Sequence, residues 1–165
     1  MKNLYTLFLL AKNYHEYMKL IHKNKKAYFD YEILDEFTAG IMLTGPEIKS
    51  VRKGSVNLKS SYISIIKGEA FLKNTNISKY PYDQNKDYDP FRVRKLLLKQ
   101  NEIAKIDRQL NTQGVTVVPL AIGLEGKFAK LLIALVRGKK QHDKREIIKG
   151  REQKRRLDRL VKSYR

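Results

Sequence analysis

The chain of 165 residues contains no cysteine. Disulfides, thiolate zinc sites and cysteine nucleophiles are therefore excluded, and the composition suits a reducing cytoplasm. Histidine is scarce: His15, His22 and His142 have no partner at metal-ligand spacing, so neither metal nor cofactor is expected. No apolar run approaches the roughly 20 residues that span a bilayer. Residues 4–11 are apolar and follow Lys2, but the run is short and no small-x-small cleavage site follows it, so export is not expected. The glycines form no phosphate-cradling cluster and no serine sits in a nucleophile elbow. No catalytic residue is assigned, and the chain reads as a non-enzyme. The largest shortage is of acid: 17 Asp and Glu stand against 35 Lys and Arg, a net charge of +18. Such a chain repels itself unless a polyanion neutralises it, and nucleic acid rather than a membrane is the expected partner.

What is present suffices for one domain with a core, since 42% of the residues are hydrophobic. Residues 27–37 alternate with period two, as a half-buried strand does. Ala39-Gly40 is expected to break it, with extended structure resuming at 41–43. Thr44 or Gly45 can cap a helix, Pro46 suits its first turn and Glu47 its dipole; Gly54 stops it. Residues 62–67 and 69–76 read as a hairpin around Lys67-Gly68. Residues 78–93 form a long polar loop with several tyrosines. Ile103, Ile106 and Leu110 share a helical face ended by Gly114, and strands are expected at 115–122 and 128–136. Short strands without regular β-α alternation predict a mainly β fold with helices. The expected form is an oligonucleotide-binding-type closed β-barrel of about six strands with two or three helices. The domain division is residues 1–17 as an extension or start-site error, 18–140 as an RNA-binding barrel, and 141–165 as a basic tail.

The interior cations are spaced for tracking a phosphate backbone. Lys25 and Lys26 precede the first strand, and Lys49 and Arg52 share a helix face. Arg92, Arg94 and Lys95 are read into the same surface, with Tyr80, Tyr82 and Tyr88 for stacking. Residues 137–165 carry thirteen Lys or Arg against four Asp or Glu. Leu157, Leu160, Val161 and Tyr164 make one helical stripe in this tail. Gly150 costs about 1 kcal/mol in a helix interior, and the charges repel, so the tail is expected to be disordered alone and helical when phosphates neutralise it.

Three separated motifs carry a family resemblance: GPEIKSVRKGSVNL at 45–58, DP at 89–90 ahead of RKLLL at 94–98, and GKKQHDKR at 138–145. In this order they resemble small protein B, the SsrA-RNA (tmRNA) binding family of bacterial trans-translation. The resemblance runs from about residue 23 to the C-terminus. It implies a barrel that clasps the tRNA-like domain of tmRNA and helps deliver it, with elongation factor Tu and GTP, to stalled ribosomes. It further implies that the tail probes the decoding centre and the empty mRNA channel. Carried over to this chain, the RNA-binding positions also include Thr38, Leu97, Lys99, Gly138, Lys139 and Lys140. Asp143, Lys144, Arg145, Leu160 and Val161 match tail positions. Thr38 stands where many members carry glutamate, Phe29 where histidine is common, and Lys99 where asparagine or histidine is common.

Overall fold

The structure, a computed structural model, describes residues 18–163; the extension expected at 1–17 lies outside them. The order is β1 (Lys19–Lys23), α1 (Lys25–Asp30), β2 (Tyr31–Ile41), α2 (Gly45–Arg52), β3 (Val56–Asn57), β4 (Tyr62–Ile66), β5 (Glu69–Lys73), β6 (Asn76–Ile77), β7 (Arg94–Leu97), α3 (Gln100–Leu110), β8 (Val115–Glu125), β9 (Phe128–Gly138) and α4 (Gln141–Ser163). Seven strands form one antiparallel sheet in the order β1-β8-β9-β2-β7-β5-β4, and β3 pairs with β6 separately. Among the described residues no ladder joins β4 to β1, so the expected closed barrel does not form. The sheet curls instead. Register shifts at Leu20/His22, Ile33/Asp35 and Pro119/Ala121 mark bulges in β1, β2 and β8. Bulges strengthen the right-handed twist of a sheet, and β4 comes to lie against β8. A core is enclosed without edge-to-edge pairing.

Two local expectations are corrected. Residues 27–30 belong to helix α1, not to a strand. The cause is buried Asn24. Its Oδ1 accepts from the Ala27 N–H at 3.2 Å, while its Nδ2 donates to the carbonyls of Leu58 (3.1 Å) and Pro119 (2.9 Å). Distant segments thus hold the helix cap, and the apparent alternation is overridden. Nor does Ala39-Gly40 break β2. Gly40 pairs with both Leu97 and Lys130, and a Cβ there would lie 3.2 Å from that of Leu97. The glycine lets two strands approach.

The main core lies inside the curl. Phe37, Ala39 and Ile41 of β2 meet Leu72, Leu96, Ile122, Leu131 and Ile133, with Ile106 of α3 packed on them. A second cluster on the other face joins Ala27 of α1 to Val118, Leu120, Leu132, Ala134 and Val136. Both faces of β8 and β9 are therefore covered, which explains their near-continuous apolar runs. β2 and β9 run side by side from Tyr31↔Gly138 to Gly40↔Lys130. Nine residues at about 3.3 Å each separate those pairs by roughly 30 Å.

Candidate nucleic-acid interface

The expected RNA-binding residues do not converge on one point. They divide into three groups along the rigid β2–β9 ladder. The first lines a cleft of about 550 Å³ at the Gly40 end, where Thr38 and Gly40 of β2 face Leu97, Leu98 and Lys99. Leu97 is 54% exposed, and with Phe37, Leu98 and Leu132 it forms the apolar part of the cleft wall. The backbone N–H of Lys99 donates to Glu102 Oε2 at 2.8 Å, so Lys99 opens α3 and its side chain stays exposed. Glu36, Glu102 and Glu125 also line the cleft; Glu125 is partly neutralised by Lys130 at 3.3 Å.

The second group stands on α2. Lys49 and Arg52 are exposed on one face, while Glu47, Ser50 and Val51 are buried on the other. Arg52 Nη2 reaches the Lys127 carbonyl at 3.5 Å, linking α2 to the β8–β9 turn near the cleft. The helix is anchored by a buried ion cluster. Glu47 Oε1 accepts from Arg94 Nε at 3.0 Å and from Arg92 Nε at 2.7 Å, and its Oε2 accepts from the Thr44 N–H at 2.8 Å. Arg94, fully buried, also donates to the carbonyls of Thr75, Arg92 and Pro90, each at 3.0 Å. Burial works against the Glu47 charge. The bonds from Arg92 and the Thr44 N–H and the Arg94 charge outweigh it, holding the carboxyl below the usual carboxylate range. The Glu47 hydrogen bond correspondingly pushes Arg92 up.

This cluster corrects the phosphate-tracking reading of residues 92–95. Arg94 is sealed in the interior, Arg92 is committed to Glu47, and Lys95 pairs with Glu69. Tyr88 is likewise only half-exposed, its hydroxyl donating to the Ile77 carbonyl at 2.8 Å. Sequence spacing does not separate an internal arginine from an external one.

The third group is at the opposite end of the ladder. Lys25 and Lys26 are exposed on α1, and Lys26 borders a second cleft of about 330 Å³ with Asp30, Tyr31, Ser60 and Tyr62. Gly138 ends β9. Lys139 is tied down: its N–H donates to the Asp30 carbonyl and its Nζ to the Tyr28 carbonyl, both at 3.0 Å. Lys140 is exposed and donates its N–H to Asp143 Oδ2 at 3.2 Å, so Asp143 in the first turn of α4 reaches back to the residue before the helix. Lys144 Nζ sits 3.0 Å from Asp30 Oδ1, whereas Arg145 is exposed. The side chains of Leu160 and Val161 lie outside the described residues.

Asp30 was not singled out in the sequence, yet it fixes the first turn of the tail through Lys139 and Lys144. Replacing Asp30 by asparagine is expected to loosen that turn about fivefold, the equivalent of ~1 kcal/mol for a partly exposed pair. Amide exchange over residues 141–145 reads this directly. Reversing the pair, with Asp30→Lys and Lys144→Asp together, should restore protection; no restoration means the pair does not hold the turn.

The comparisons with known proteins bear on the family of the chain. A family model described as SmpB protein matches residues 21–163. An SsrA-binding protein of Streptococcus agalactiae serotype III is 50% identical over 147 residues, 88% of this chain and 94% of that one. The SsrA-binding proteins of Streptococcus mutans and Latilactobacillus sakei are each 48% identical, over 145 and 143 residues, covering 94% and 92% of their lengths. A chain in a solved structure described as "tmRNA-SmpB: a journey to the center of the bacterial ribosome" superimposes with a TM-score of 0.63 at 38% identity, covering 77% of this chain and 93% of that one. A family match over nearly all of the described residues, with relatives near half identity across almost their whole length, establishes that this chain belongs to the small protein B (SmpB) family.

Proposed function

We propose that the protein is a non-enzymatic adaptor of trans-translation. Its curled sheet binds the tRNA-like domain of tmRNA, and the complex is delivered with elongation factor Tu and GTP to stalled ribosomes in the cytoplasm. The basic tail enters the decoding centre and the vacant mRNA channel, and its helix becomes stable there. The relatives named SsrA-binding proteins and the tmRNA-SmpB structural neighbour support the RNA. One structural observation carries the binding mode. Lys25, Lys26, Lys49, Arg52, Lys99 and Lys140 are exposed, and their side-chain cations form no ion pair among the described residues. They stand at both ends of a ladder roughly 30 Å long, a spacing that fits RNA shape and backbone rather than a compact ligand.

Competition between tmRNA and bulk tRNA tests the assignment. tmRNA should win by at least tenfold; equal affinity would favour a general RNA-binding module. Because the contacts are mainly to phosphate, log K should fall linearly with log[salt], by roughly 0.7–0.9 per phosphate contact. Six free cations therefore predict a slope of about 4–5 from the body of the protein. A flat response over a tenfold change in salt would remove the electrostatic basis of the proposal.

A further inference from the structure

The segment after β6 carries a cluster that neither the fold nor the internal ion pairs use. Tyr80 and Tyr82 meet edge to face, with ring centroids 5.5 Å apart and planes at 60°. Tyr82 is 80% exposed. Lys53 Nζ lies 4.9 Å from the Tyr80 ring and 5.9 Å from the Tyr82 ring, and Lys49 Nζ lies 5.3 Å from Tyr80. Neither lysine has a carboxylate partner among the described residues. The cluster is held on firm supports. Glu47, Ser50 and Val51 bury the far face of α2. The flanks of the tyrosine segment are pinned by Ser78 N–H to the Ser55 carbonyl (3.0 Å), Ile77 N–H to the Pro90 carbonyl (3.1 Å) and Tyr88 to the Ile77 carbonyl.

We infer that Tyr80 and Tyr82, with Lys49 and Lys53, form a stacking platform for an unpaired base of an RNA strand. The chemistry follows from the parts. An exposed ring offers a π-face that any base can cover, and stacking of this kind is sequence-tolerant. A base inside a duplex has no free face, so the occupant is an unpaired nucleotide. Cation–π contacts at exposed sites contribute only modestly. The two ammonium groups can therefore turn to the phosphates flanking the stacked base at little cost. Asp83, one residue beyond, is partly buried in the turn in which its N–H donates to the Tyr80 carbonyl at 2.9 Å. The inference rests on the RNA-binding reading above and adds to it a second kind of contact, made to a base face rather than to backbone.

The chain has no tryptophan, so Tyr82→Trp in the full-length protein places a single tryptophan, excited apart from the tyrosines, on the platform. Titration with a ten-nucleotide oligoadenylate should quench it, while a blunt duplex of the same length should not. Tyr82→Ala should lower affinity for the oligoadenylate about 5- to 150-fold, the range one stacked base supplies. Tyr82→Phe, which keeps the ring, should stay within about twofold of wild type. Unchanged emission, equal quenching by the duplex, or wild-type affinity in Tyr82→Ala would each overturn the platform. The tmRNA–tRNA competition is run alongside. Quenching by the oligoadenylate without a preference for tmRNA would support the platform while removing the adaptor reading. A tmRNA preference with an indifferent Tyr82 would do the reverse.

Discussion

Glu47→Gln should destabilise the fold by about 3–5 kcal/mol, because it leaves Arg94 charged and buried without a counter-charge. That is a large share of the roughly 5–15 kcal/mol by which a domain is stable. Every donor on Arg94 is oriented by the cluster: Nε faces Glu47, Nη1 the Thr75 and Arg92 carbonyls, and Nη2 the Pro90 carbonyl. Water cannot replace the lost carboxylate, since both side chains are fully buried. Urea denaturation gives the measurement, with a lowered midpoint at unchanged slope. Glu69→Gln, which breaks the exposed pair with Lys95, is the internal control and should cost no more than about 1 kcal/mol. Similar losses for the two would show that burial of the Glu47 cluster does not matter.

The same cluster makes a pH prediction. Glu47 titrates lower in the folded chain than in the unfolded one. On acidification the unfolded chain therefore takes up this proton first, and stability falls. The contribution is complete above the ordinary carboxylate range and is lost as pH drops through that range toward the folded-state value. Glu47→Gln should flatten that part of the stability–pH curve. An acid slope equal to that of wild type would mean other carboxylates carry it.

Removing residues 146–165 should spare tmRNA binding and abolish tagging of stalled peptides. The truncation takes away eight Lys or Arg and three Asp or Glu, a net +5, yet it leaves the cleft, α2, α1 and the Asp30–Lys144 pair intact. Affinity for tmRNA at moderate salt should change by less than about fivefold, while tagging in a reconstituted translation system should fall to background. Normal tagging by the truncated chain would overturn the role given to the tail. Circular dichroism of the tail peptide complements this. Gly150 sits inside α4 and costs about 1 kcal/mol in a helix, so the free peptide should be largely unfolded and gain helicity when RNA is added.

Much of the element pattern was legible because it is local. The capped start of α2 at Thr44–Glu47, the apolar stripe of Ile103, Ile106 and Leu110 in α3, the Lys67-Gly68 turn and the two long runs of β8 and β9 all appear near their expected places. The misreadings share one cause. At 27–30 the alternation was genuine, but Asn24 bonded to Leu58 and Pro119 decides the conformation from 34 and 95 residues away. At Gly40 a residue that usually interrupts a strand instead makes room for Leu97. Short strands without regular β-α alternation suggest a barrel, but its closure depends on twist, bulges and which edges meet.

The motifs at 45–58, 94–98 and 138–145 were enough to determine the family, and the excess of Lys and Arg enough to predict a polyanionic partner, because charge and residue order do not require folding to be read. Only the tertiary structure decided which cations face solvent. Lys49 and Arg94 are equally basic in the chain. One stands free beside Tyr80, and the other is sealed against Glu47. The reason is desolvation: a buried charge is tolerated only with a partner in place, and the residues that bring that partner lie far away along the chain.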